Sequence, residues 1–234
     1  MREFLTAAVL VLAVSRFAGA SPLCVSDTLA NYVALGPAGC EIQGVTLTDF
    51  DVEAYATGWD LLDPEDVQVI PSWHGGPQIG LQTDSSVGPG ERAGAWIGFT
   101  ASRPSPLSLR GGRNSLDGGS TTDDGSIFGG STYCLGAAFG AARPLGCSGT
   151  IFSFGTPVFV IPTGSNPVVA LPFPLSSSLV GVSLFLTLDG GTTGSAALAG
   201  TFGHRLAVPE PSRSLLFGVG ALALWLVSRR LSQR

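Results

Sequence analysis

The sequence predicts an all-β protein: an antiparallel β-sandwich or jelly-roll-like domain with one short N-terminal helix. An N-terminal signal peptide and a single C-terminal hydrophobic helix flank it. Three observations carry this. The chain has 33 Gly and 16 Pro among 234 residues, spread along its length, which punctuates many short strands and opposes long helices. Two segments, 45–53 and 179–188, alternate apolar and polar residues with the period of a half-buried strand. Between the strand-like segments there are no helical crossovers of the kind parallel α/β sheets need.

The elements follow in order. Residues 1–20 read as a secretory signal peptide. Arg2 supplies the positive end, Leu5 to Val14 the apolar stretch, and Phe17-Ala18-Gly19-Ala20 the small-residue cleavage pattern. The apolar stretch is shorter than the roughly 20 residues of a span, so the mature chain is expected to begin at Ser21. Ser26 to Gly36 is the one soluble helix, capped by Ser26 or Asp27. Leu29, Tyr32 and Val33 share one face, and Gly36-Pro37 ends the helix. Gly44 to Glu53 is a strand with Val45, Leu47 and Phe50 inward and a bulge near Phe50.

Gln78 to Gln82, Ala93 to Ala101, Ser126 to Leu135, Thr150 to Ser153 and Val158 to Ile161 are further short strands. Arg103 to Gly125, rich in Gly, Ser and Asp without periodicity, is expected to be a long loop. Leu179 to Leu188 puts Val180, Val182, Leu184, Leu186 and Leu188 on one face. Asp189-Gly190-Gly191 then marks a turn, with Ser195 to Phe202 returning as the second arm of a hairpin. The exported domain is thus 21–207, and 208–234 is a separate tail.

Composition narrows function. Fifteen of the 17 Asp and Glu residues lie in 21–207, against six Arg and no Lys. Such an acidic body repels nucleic-acid phosphates, so no nucleic-acid partner is expected. The cysteines, Cys24, Cys40, Cys134 and Cys147, all follow the signal peptide and meet an oxidising compartment. Four cysteines allow three pairings. Local pairing, Cys24 with Cys40 and Cys134 with Cys147, closes two short loops, each stabilising by roughly 3 kcal/mol.

No catalytic constellation emerges. Gly-x-Ser-x-Gly, phosphate-loop and His-Glu-x-x-His patterns are absent, and the only histidines are His74 and His204. Asp117, Asp123 and Asp124 sit in a Gly-rich stretch whose spacing departs from the EF-hand, so a solvated turn is expected and calcium is the alternative. Asp49, Asp51 and Glu53 form a solvent face of one strand, and Asp60, Asp63, Glu65 and Asp66 a solvated turn around Pro64. The expectation is no enzyme, no cofactor and no metal. Trp59, Trp73 and Trp96 are either core or, if exposed together, a sugar-stacking platform.

The tail has three units. Val208-Pro209-Glu210-Pro211-Ser212 is extended because its prolines forbid helix. Leu215 to Val227 is uncharged and apolar, and Arg229, Arg230 and Arg234 form a basic membrane stop. At 1.5 Å per residue the apolar run reaches roughly 20 Å, short of a hydrocarbon core of about 30 Å. A transient stop fits better than a permanent span.

Together these units resemble the PEP-CTERM sorting signal, the tag of bacterial exosortases, with Arg-Arg-Leu-Ser-Gln-Arg replacing a longer arginine cluster. Leu29 to Gly36 with Gly39-Cys40, and Cys134-Leu135-Gly136 with Cys147, also resemble exported proteins that carry this tag. The resemblance implies processing by signal peptidase and by a membrane-embedded exosortase that cuts at or near Pro209-Glu210-Pro211. It further implies delivery to the cell surface or the exopolysaccharide matrix. A structural or adhesive role is then expected, or alternatively a carbohydrate-binding module for matrix glycans.

Overall fold

The computed structural model describes residues 21–104, 107–140, 146–153 and 157–209. The expected signal peptide at 1–20, the greater part of the expected sorting motif (Glu210, Pro211, Ser212), the apolar run, Arg229 and Arg230 lie outside the described residues.

The chain opens with a two-residue strand, β1 (Asp27–Thr28), then the helix α1 (Leu29–Leu35) and a 3₁₀ turn over Gly36–Ala38. The helix cap is Thr28, not Ser26 or Asp27: its Oγ1 accepts from the Asn31 amide at 3.2 Å. Asp27 instead accepts from the Thr28 amide and from Asn31 Nδ2, because it is already extended in β1. Leu29 and Tyr32 are buried, and Gly36 ends the helix at φ 53°. The Cys24–Cys40 disulfide ties the segment before α1 to β2 (Cys40–Ile42).

In β3 (Val45–Ala54), Val45, Leu47 and Phe50 are buried as their spacing predicts. Pairing with β6 (Arg92–Ser102) jumps from Thr48↔Thr100 to Asp51↔Gly98, so β3 carries one extra residue, and Asp49 takes φ 55°. This bulge lets Phe50 turn inward onto Phe99 and Tyr32, at 5.1 and 5.0 Å between ring centroids.

After β4 (Gln68–Trp73) and β5 (Pro77–Val87), the chain shuttles between two antiparallel sheets. β7 (Leu109–Thr122), β8 (Ser126–Leu135), β9 (Thr150–Ser153), β10 (Val158–Ile161), β11 (Gly164–Asn166), β12 (Val168–Ser177), β13 (Leu179–Asp189) and β14 (Ser195–Ala207) complete them. One sheet has the order β11-β10-β8-β13-β6-β3-β2, with β9 also paired to β8; the other is β1-β4-β5-β14-β7-β12. Within these, β5-β14-β7-β12 faces β6-β13-β8-β10, with consecutive strands on opposite sheets except β8 and β10, which pair with each other, the wiring of a jelly roll. The second disulfide, Cys134–Cys147, ties β8 to the segment leading into β9.

Two expectations fail here. Residues 179–202 are not a hairpin. β13 pairs with β6 on one side and with β8 on the other along nearly its whole length. No edge of β13 is left for the returning chain, which crosses to the opposite sheet, where β14 lies between β5 and β7. Val180, Val182, Leu184, Leu186 and Leu188 do share the buried face. Period-2 alternation is identical for a hairpin and for a crossing, so it reveals the strand but not its partner.

Nor is 103–125 a loop: residues 109–122 form the longest strand, β7. It escapes pattern reading because, after the buried Leu109, its inward positions are Gly112, Asn114 and Leu116, only one of them apolar. Gly112 faces the Tyr133 ring of the opposite sheet, and a Cβ there would fall on the Tyr133 hydroxyl. We therefore expect Gly112→Ala, at an otherwise undemanding strand position, to cost about 1–3 kcal/mol by overpacking. Chemical denaturation measures this; an unchanged midpoint would show that the sheets do not meet there as closely as described.

Candidate functional site

Inside the sandwich a line of polar groups crosses from sheet to sheet. His204 on β14 and Asn114 on β7 are register partners, and Asn114 Oδ1 accepts from His204 Nδ1 at 2.8 Å. Asn114 Nδ2 donates to Ser131 Oγ at 2.9 Å, and Ser131 Oγ donates to the Tyr133 hydroxyl at 2.7 Å, both on β8. A carbonyl oxygen only accepts, so His204 carries its proton on Nδ1 and a bare lone pair on Nε2. Nε2 is buried without a hydrogen-bond partner, and burial pushes the imidazole pKa down to about 3. Burial likewise raises that of the Tyr133 hydroxyl. His204 is thus a neutral structural group beside Asn114, and the described contacts give it no carboxylate of the sort a hydrolytic base would use.

The remaining candidates separate. His74 lies at the surface, with Nδ1 3.4 Å from Ser72 Oγ. Asp117 is on β7, while Asp123 and Asp124 form the turn into β8. Asp124 accepts from the amides of Thr192, Thr193 and Gly194 and from both threonine hydroxyls. These donors hold its carboxyl below the usual range. Both its oxygens serve the 192–194 segment, so Asp124 is an anchor for the crossing between the sheets. Among the described residues no three His, Cys, Asp or Glu side chains gather as metal ligands. Asp49 and Glu53 are exposed, and Asp63 caps its own turn through the Glu65 amide.

The three tryptophans do not form one platform. Trp96 stacks on Tyr55 at 5.4 Å and meets Phe185 edge-on at 5.3 Å. Its indole N–H donates to the Tyr55 carbonyl. Trp59 also meets Tyr55, at 5.1 Å between ring centroids, and the Arg92 guanidinium lies 5.6 Å from its ring centre. The Phe185 ring lies over Gly130. This half-buried aromatic cluster covers the outer face of the β13 sheet. Trp73 sits apart, at the end of β4 against the core.

A grouping that sequence reasoning missed lies on the outer face of the β14 sheet. Arg113 and Arg205 are direct cross-strand partners, with Arg110 adjoining them on β7. The signal was hidden because reading 103–125 as a loop removed the register that joins these arginines. Of the Val208 to Ser212 segment expected to be a sorting motif, Val208 and Pro209 follow β14 directly, and Val208 packs on the core.

The His204 geometry has a pH consequence. Between its folded value near 3 and the ordinary value of 6.5 the unfolded chain binds the extra proton, so stability falls as pH drops through that window. The slope approaches about 1.4 kcal/mol per pH unit. The loss attributable to Asp124 falls lower, below the ordinary carboxylate value of 3.8. Denaturation of the wild type should therefore weaken between pH 6.5 and 5, whereas His204→Phe, less stable at neutral pH, should be flat there. Equal slopes would refute the assignment.

No protein-family model matches this chain, and a search of curated proteins finds no match to it.

Proposed function

We propose that the chain is an exported protein of the cell surface or exopolysaccharide matrix, processed by an exosortase at 208–212, whose sandwich serves a structural or adhesive role. The observation that carries this reading is where the β14 ladder ends. The last paired residue of β14 is Ala207, opposite Gly111, and the Val208-Pro209-Glu210-Pro211-Ser212 segment begins at the next position. A processing tag needs an unpaired stretch next to a stable body, and prolines 209 and 211 cannot extend the ladder. The two disulfides support an oxidising destination. Signal peptidase at the N-terminus and a transient membrane stop at Arg229 and Arg230 complete the route. Deleting 208–212 should abolish the shortened product and leave the full-size chain in the membrane fraction. If mass and location stay the same, the sorting reading is wrong.

A second reading is recognition of neutral matrix glycans, and it is favoured by the clustering of Tyr55, Trp59, Trp96 and Phe185. Aromatic faces bordered by polar groups suit sugar rings. Trp59 belongs to this cluster and Trp73 does not, so Trp59→Ala should remove binding on an array of neutral glycans, while Trp73→Ala should retain it. An array on which the wild type binds no neutral glycan would eliminate this reading.

A further inference from the structure

We infer that the outer face of the β14 sheet holds a binding site for a carboxylate-bearing acidic glycan, centred on Arg113 and Arg205. Its partner class rests on the matrix reading above; its measurement does not.

Register lines up Gln78 on β5, Arg205 on β14, Arg113 on β7 and Ala170 on β12 in one row across the sheet. Like charges directly opposite each other on antiparallel strands are destabilising. Nothing in the row offsets that repulsion. Among the described residues the ion pair within 4 Å is Arg92–Asp189, and none of Arg110, Arg113 and Arg205 has a carboxylate partner. The nearest acid along β7 is Asp117, four residues from Arg113, about 13 Å away in an extended strand. That exceeds the screening length of about 8 Å at physiological ionic strength. Half of the six arginines of an acidic body are thus held together without counter-charge.

The site is also shaped. Gln78, Arg113, Ser115 and Arg205 line a shallow depression, which continues into a second one bounded by Arg110, Gly111 and Pro172. Arg205 is fixed by donation from Nη1 to the His74 carbonyl, so one guanidinium fork is oriented before any ligand arrives. Two adjacent forks suit carboxylates, each of which a guanidinium binds through two parallel hydrogen bonds. The neutral amide of Gln78 and hydroxyl of Ser115 beside them suit sugar hydroxyls next to a carboxylate, as in a uronic acid. A single-stranded nucleic acid fits less well, since the residues lining the two depressions include no aromatic ring on which its bases could stack.

The test is calorimetric titration of the full-length chain in detergent with a galacturonate hexamer. Controls are a neutral glucose hexamer and a single-stranded oligonucleotide of equal charge. We expect galacturonate binding that weakens as salt is raised, with no binding of the neutral hexamer. The paired change Arg113→Gln with Arg205→Gln should weaken it by roughly tenfold or more. Arg113→Lys, exposed and charge-preserving, should cause a smaller loss and guards against misfolding of the double variant. Absence of galacturonate binding, undiminished binding by both variants, or tighter binding of the oligonucleotide would each overturn the proposal. The sorting reading is judged separately by product mass and location, so either can fail alone.

Discussion

The buried line His204–Asn114–Ser131–Tyr133 is the constraint on which the two-sheet arrangement depends. Apolar faces attract without direction, and two sheets coated with Leu, Val and Ile have many acceptable offsets. Polar groups in the same interior have few, because each unmet donor or acceptor costs about 1–3 kcal/mol. Here two members come from β7 and β14 of one sheet and two from β8 of the other. Sliding either sheet by one residue breaks the chain of donors and also drives Tyr133 out of the space above Gly112. The network fixes the offset that the hydrophobic core leaves open.

A second constraint is that β13 and β14 are each paired on both sides. They form the spines of the two sheets although adjacent in sequence. The chain between them must leave one sheet and enter the other within residues 190–194. Asp124 makes this feasible by collecting donors that the sharp crossing leaves without ladder partners. A carboxylate in the β7–β8 turn thus stabilises the β13–β14 passage, and the two connections at that end of the sandwich are tied together.

What the sequence revealed follows from where apolar residues mark the interior. The strands at 126–135, 150–153 and 158–161 are as their composition indicates, and the bulge at Phe50 is visible as a break in alternation. The local cysteine pairing holds because each pair closes a short loop. β7 was invisible because its interior positions are filled by Gly112 and Asn114, residues that otherwise signal turns. The hairpin reading erred because strand pairing is a tertiary property that period-2 alternation does not encode. The same blindness hid the arginine pair. Arg113 and Arg205 become neighbours only through β7–β14 register, so a site assembled across strands stays unreadable until the strand is recognised.

Sheet register also gives the outer face of the β14 sheet a charge direction. Arg205 and Arg113 sit opposite each other two residues from the end of β14 at Ala207, whereas Asp84 pairs with Ala199, six residues further along the ladder from Arg205. At about 3.3 Å per residue the two ends are some 20 Å apart, beyond a screening length of about 8 Å, and so act as separate fields. An anionic polymer drawn to the arginines is not repelled by the acids at the far end. It therefore meets the domain at the end where β14 passes into Val208 and Pro209. The acidic net charge of the body and an anion site on its surface are compatible because strand length, not composition, separates them.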